Sequence, residues 1–195
     1  MCGRGNIPGG AKFHVEERPV LRSLNGKSPK VHPSAYVSEA AYVVGDVEIG
    51  ENSSVWPGAV IRGDYGSIKV GKGTNIQDNA VLHADDYLVV GDDVTVTHGA
   101  VVHCHRVGNN VMIGVNATLL ENAEIGNNCM VGAGSVVLAD TVVPDNSVVV
   151  GVPGKVRPLK AELVARVRQA AATYRRNAER HKAAGLGLSL AEEEG

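Results

Sequence analysis

Residues 125–150 read "IGNNCMVGAGSVVLADTVVPDNSVVV", and an aliphatic side chain returns at every sixth position: Ile125, Val131, Val137, Val143 and Val149. Four places after each of the first four stands a small or β-branched residue: Cys129, Ser135, Thr141 and Ser147. A period of six is not that of a helix, and it contains the two-residue alternation of a strand only as a multiple. The chain must therefore turn at regular intervals. Three hexads separate Ile125 from Val143, which predicts a solenoid whose coils are triangles with three short faces.

The same register runs upstream through Val31, Val37, Val43, Ile49, Val55 and Ile61. It resumes after the loop "RGDYGSIK" at Val70, Ile76 and Leu82, and after "HADDYL" at Val90, Val96 and Val102. One residue is dropped before Val107, Ile113 and Leu119. Valine, isoleucine and leucine are expected to point inward, so that stacking buries what a single coil would expose. Glycines such as those of "VGNNVMIGVN" are expected at corners, where a Cβ would be crowded and conformational freedom is needed.

Composition agrees. Twenty-four glycines, one Trp, one Phe and five Tyr in 195 residues describe a core of small and β-branched side chains. Nineteen Lys and Arg against 21 Asp and Glu give a net charge of −2, which favours neither nucleic acid nor an anionic membrane as a partner. "MCGRGNIPGG" has no apolar core of a signal peptide, and no stretch is apolar enough to span a bilayer, so a cytoplasmic location is expected. Cys2, Cys104 and Cys129 are scattered and odd in number, which fits reduced thiols.

These patterns divide the chain into an N-terminal tail (1–11), a β-solenoid (12–158), a C-terminal helix (159–184) and a terminal tail (185–195). The helix carries Leu163, Val164 and Val167 along one side and has Gly185 as its stop.

Chemistry concentrates in the coils around "VTVTHGAVVHCHRVG", residues 94–108. His83 and His103 each follow the first residue of the third face, after Leu82 and Val102, and should stack on neighbouring coils at about 4.7–4.9 Å. Two imidazoles that close can share a metal. His98 lies five residues before His103 on the preceding face, up to roughly 16 Å away in extended chain. It is out of reach of a metal on its own chain's pair and within reach of one on a neighbouring copy. Three His ligands with an open fourth position form the catalytic type of zinc site, and imidazoles also suit iron and cobalt. His105, beside Arg106 and the dropped residue, reads as structural. Arg62 and Asp64 in "VIRGDYG", and Asn75, Gln77 and Asp78 in "TNIQDNAVLH", gather in the same coils. An Arg paired with Asp64 or Asp78 across a subunit contact would fix orientation.

"VWPGAVIRGD", "TNIQDNAVLH" and "VTVTHGAVVH", in order within continuous hexads and ahead of a C-terminal helix, resemble the gamma-class carbonic anhydrases, over about residues 28–180. The resemblance implies an all-β, left-handed parallel β-helix with a C-terminal α-helix, a homotrimer, and one zinc-type ion per subunit interface. It implies reversible hydration of carbon dioxide to bicarbonate by a metal-bound hydroxide. It assigns His83 and His103 to one chain and His98 to the next, Arg62 with Asp64 and Asp78 to interface ion pairs, and Gln77 to a hydrogen bond near the metal-bound water. Where the founding type has a Glu after its Arg-x-Asp, this chain has Tyr65, and the acidic loop bearing the proton-shuttling Glu is shortened to "HADDY". Asp85, Asp86 and Tyr87 are the candidates to replace that shuttle. Two further readings use the same residues: an acyl-CoA thioesterase, and a trimeric scaffold whose metal only clamps subunits. An acyltransferase with one catalytic His fits three histidines less well.

Overall fold

The computed structural model describes residues 20–190. They form a left-handed parallel β-helix of about seven turns followed by one C-terminal helix. The N-terminal tail expected over residues 1–11, the first residues of the expected solenoid (12–19) and the end of the expected terminal tail (191–195) lie outside the described residues.

The hexad residues form three vertical columns. The first face stacks Val31, Ile49, Val70, Val90, Val107, Ile125 and Val143. The second stacks Val37, Val55, Ile76, Val96, Ile113, Val131 and Val149. The third stacks Val43, Ile61, Leu82, Val102, Leu119 and Val137. Apart from the half-buried Val31, all of these are buried and belong to one continuous core. Each full burial of such a side chain contributes about 1.5–3 kcal/mol, and no aromatic ring is needed inside the triangle. Tyr42–Ile49 and Val60–Val70 are long enough to turn a corner, which joins the first and third faces into one 12-stranded sheet. The 8-stranded sheet of the second face ends with Lys155–Pro158, which runs antiparallel to Ser147–Val150 and closes the last coil.

Corners use two residue types for two reasons. Along one corner positive φ falls to asparagine, with Asn110, Asn128 and Asn146 at 53°, 53° and 57°, a region Asn tolerates better than other non-glycine residues; at other corners Gly58, Gly73, Gly99 and Gly134 take it. The neighbours of these asparagines tie the coils together through a staircase of hydrogen bonds, Asp92 N to Asn109 Oδ1 (2.8 Å), Asn109 N to Asn127 Oδ1 (2.9 Å) and Asn127 N to Asp145 Oδ1 (2.7 Å). The last of these, with the Asn127 side chain, holds the Asp145 carboxyl below its ordinary range. Glycines such as Gly108 lack positive φ, so the conformational freedom expected of them is not their role. A Cβ on Gly108 would sit 2.7 Å from the carbonyl carbon of Gly126 on the next coil. Crowding alone selects glycine there.

The helix spans Ala161–Ala183 and lies along the second face. Val167, Ala171 and Ala178 are the buried residues of its inner side, while Leu163 and Val164 are only half-buried. Small residues let the helix sit close to the sheet. Tyr36, Trp56, Tyr174 and His181 pack edge to face or tilted beneath it, with Trp56 and Tyr174 centroids 5.3 Å apart. An Arg175–Asp93 ion pair and a hydrogen bond from Lys182 Nζ to Ser34 O (2.9 Å) pin its last turns. Gly185, at φ 75°, ends the helix and donates to Lys182 O. Beyond it, Leu188 N donates to Val37 O (2.8 Å), and Leu188 and Leu190 pack on the core, so residues 186–190 of the expected tail lie against the first coils.

The outward residues differ from face to face. The first face presents Glu48, Lys69, Arg106 and Glu124, with Val89 and Val142 as apolar exceptions. The second is roofed by the helix. The third presents Tyr42, Val60, Val81, Val101, Thr118 and Val136, uncovered by any element among the described residues.

Gly108→Ala should lower stability by about 1–3 kcal/mol, because the added methyl forces two coils apart. Chemical denaturation at fixed protein concentration checks this; an unchanged midpoint would contradict it.

Candidate metal centre

Arg62 pairs with His83 in the ladder of the third face, so the residue after each inward hexad side chain forms an outward column. His83 and His103 occupy successive levels of it, with ring centroids 5.1 Å apart and planes tilted by 40°. Parallel register alone brings them together. Arg62 forms a short ion pair with Asp64, and Asp64 Oδ1 accepts a hydrogen bond from His83 Nε2 (3.0 Å). Burial raises the Asp64 carboxyl, but the hydrogen bonds from Arg62 and His83 outweigh it and hold the group below its ordinary range.

The opposite nitrogens turn inward. His103 Nε2 lies 3.2 Å from Asp85 Oδ2, and His83 Nδ1 lies 4.0 Å from Asp85 Oδ1. One donor atom from each of His83, Asp85 and His103 falls within 4.8 Å of the others. His103 Nδ1 faces Glu121 Oε1 at 3.6 Å. Two imidazoles and a carboxylate suit a zinc-type cation, and their outward nitrogens already meet carboxylates that would set the tautomers.

His98 is elsewhere, at the corner after the second face and beside the helix. Its Nδ1 lies 2.9 Å from Asp78 Oδ2, and Tyr174 Oη lies 3.4 Å from its Nε2. Burial, with a smaller contribution from Asp78, pushes the Tyr174 hydroxyl up from its ordinary value. Within one chain Asp78 therefore serves His98, while Arg62 serves Asp64. Asn75 and Gln77 are buried on the second face, where Gln77 Nε2 donates to Asn75 Oδ1 (2.9 Å) and Asn75 Nδ2 to Thr95 Oγ1 (3.0 Å). His105 stacks on Tyr87 at 4.5 Å, and the pair borders a small cavity of about 70 Å³ that reaches His103 and Glu121. Tyr65 is 79% exposed.

Three partners escaped the sequence reading: Asp85 as a donor between the two rings, Glu121 behind His103, and Tyr174 against His98. The "HADD" spacing placed Asp85 two residues after His83 and was the available signal. Glu121 lies in the coil after His103, and Tyr174 reaches His98 only through helix docking.

Parallel ladders of six-residue period with imidazoles stacked on one face define a hexapeptide-repeat β-helix protein, and residues 105–139 match the family described as "Bacterial transferase hexapeptide (six repeats)". The chain is 50% identical over 141 residues to a "Probable carbonic anhydrase" of Methanocaldococcus jannaschii, covering 71% of this chain and 89% of that one. It is 38% identical over 177 residues to the mitochondrial gamma carbonic anhydrase 2 of Arabidopsis thaliana, covering 86% of this chain and 64% of the relative's length. A solved hexapeptide transferase family protein from Anaplasma phagocytophilum superposes with a TM-score of 0.79 at 35% identity, over 82% of this chain and 96% of that one. The chain belongs to the gamma carbonic anhydrase family.

Asp64→Asn should weaken cobalt or zinc binding by about 10–100-fold, since the charged acceptor that fixes His83 and raises its basicity becomes a neutral amide. Metal titration of the apo-protein checks this, and unchanged affinity would contradict it.

Proposed function

We propose that the protein is a homotrimer that catalyses the reversible hydration of carbon dioxide to bicarbonate. Its cofactor is a zinc-type ion, with iron or cobalt as alternatives, held by His83 and His103 of one copy and His98 of the next. The observation that carries this reading is the stacked His83–His103 pair, with a carboxylate beside the outward nitrogen of each ring.

Assembly follows from the faces. Valine on the outward positions of the third face has no cover in a single chain, and such a patch marks an interaction surface. The first face is charged and suits solvent; the second is already roofed. Packing the third face of one copy against the helix-side corner of another is a heterologous contact, which closes into a ring of three when each copy is rotated by a third of a turn. That contact would bring His98 toward the histidine pair.

A bound zinc-type ion supplies Lewis acidity and a nucleophile at neutral pH, lowering the pKa of water from 15.7 to about 7, a magnitude established on carbonic anhydrase itself. The chain's own residues do the positioning. Asp64, kept ionised by Arg62, accepts a hydrogen bond from His83 Nε2–H and leaves the Nδ1 lone pair free to ligate. Asp78 does the same for His98 Nδ1, leaving Nε2. Gln77 gives one amide hydrogen to Asn75, which turns its carbonyl oxygen into the group that would accept from a reacting water. No helix among the described residues is long and apolar enough to cross a membrane. Cys104 and Cys129 are buried free thiols, that of Cys104 pushed up by burial to about 12, which supports a reducing, cytoplasmic setting.

His83→Ala and His98→Ala should each lower carbon dioxide hydration by about a hundredfold or more relative to metal-analysed parent protein. Full activity in either variant would remove the reading. Hydrolysis of an acyl-CoA without carbon dioxide hydration would replace the substrate. Metal-dependent trimers with neither activity would reduce the site to a clamp.

A further inference from the structure

We propose that Asp85 completes an in-chain cation site with His83 and His103, able to capture a divalent metal before any second copy contributes His98. This rests on the reading of His83 and His103 as metal ligands and adds a residue to which that reading gives no ligating role.

One donor atom from each of the three residues falls within 4.8 Å of the others. Zinc holds nitrogen and oxygen ligands at about 2.1 Å, so two ligand atoms of one tetrahedron lie about 3.4 Å apart. Asp85 Oδ2 stands 3.2 Å from His103 Nε2, and Asp85 Oδ1 stands 4.0 Å from His83 Nδ1. Both carboxylate oxygens thus face a different imidazole at close to the required separation. The rings are set to match, because each presents its other nitrogen to a separate carboxylate: His83 Nε2 to Asp64 at 3.0 Å and His103 Nδ1 to Glu121 at 3.6 Å. Arg62 in turn occupies Asp64. The polar order along the third face is Arg62, Asp64, His83, Asp85, His103, Glu121, in which the two inward nitrogens and one carboxylate converge.

Two histidines and one carboxylate form a ligand set that holds zinc with a fourth position open. In the single chain that position is left to water; in the assembled trimer it is where His98 of another copy would enter. Asp85 is 68% exposed on the short loop after His83, so its side chain is free to make the adjustment of about half an ångström or more that a 4.0 Å separation requires, and to withdraw when a third imidazole arrives. The shortened "HADDY" loop has a positive role here, since it turns a carboxylate back over the histidine pair.

The test is cobalt titration of the metal-free full-length protein, read by the visible spectrum and by competition with a chelator. His98→Ala should bind about one cobalt per chain, and adding Asp85→Asn to it should weaken binding by at least about tenfold. Circular dichroism melting of the double variant against His98→Ala shows that the exposed substitution leaves the fold intact. Cobalt affinity that is the same with and without Asp85→Asn, or no binding to His98→Ala at all, would overturn the inference. Hydration activity is not the readout. An inactive protein with Asp85-dependent cobalt binding leaves this inference standing and removes only the proposed reaction; an active one whose His98→Ala variant binds cobalt regardless of residue 85 does the reverse.

Discussion

Each coil lies directly on the one before it, in parallel register, and every other feature depends on that constraint. Backbone hydrogen bonds from coil to coil leave no freedom to slide, because a slip of one residue would turn the inward column outward. Sequence positions that share a place in the hexad therefore become neighbours in space. Inward columns of Val, Ile and Leu make the core. The outward column through Arg62, His83 and His103 makes the candidate centre by the same rule.

Functional specialisation then lies in what each face meets. Glu48 with Lys69, and Arg106 with Glu124, make the first face suitable for water. Val167, Ala171 and Ala178 fit the helix to the second, and Tyr174 carries that contact as far as His98. The third face combines a column of half-buried outward valines with the two stacked histidines, so an apolar surface that no other element covers is also the one that carries the chemistry. On the proposed assembly, burying those valines and completing the donor set are one event.

The fold was largely legible because the hexad is local and repeated, and every aliphatic position from Val31 to Val149 falls in the face its register gives it. The stacking of His83 on His103 was legible for the same reason. What escaped depends on loops and on docking. Positive φ at Asn110, Asn128 and Asn146 looks in the sequence like ordinary polar filler, while the glycines that looked conformational are chosen by the approach of the next coil's backbone. Asp85 belongs to a loop whose path no repeat specifies, and no periodicity relates Tyr174 to His98. The arginine expected opposite Asp78 belongs to a subunit contact; within the chain Asp78 faces His98, a pairing that no periodicity announces.

On the proposed assembly, a chain with an intact histidine pair must borrow an imidazole from another copy. Co-expressing His83→Ala and His98→Ala subunits in equal amounts measures this directly. In randomly mixed trimers about a quarter of the seams would join an intact His83–His103 pair to an intact His98, so activity should return to about a quarter of the parent level although each variant alone is inactive. Mixed trimers no more active than the separate variants would contradict the account.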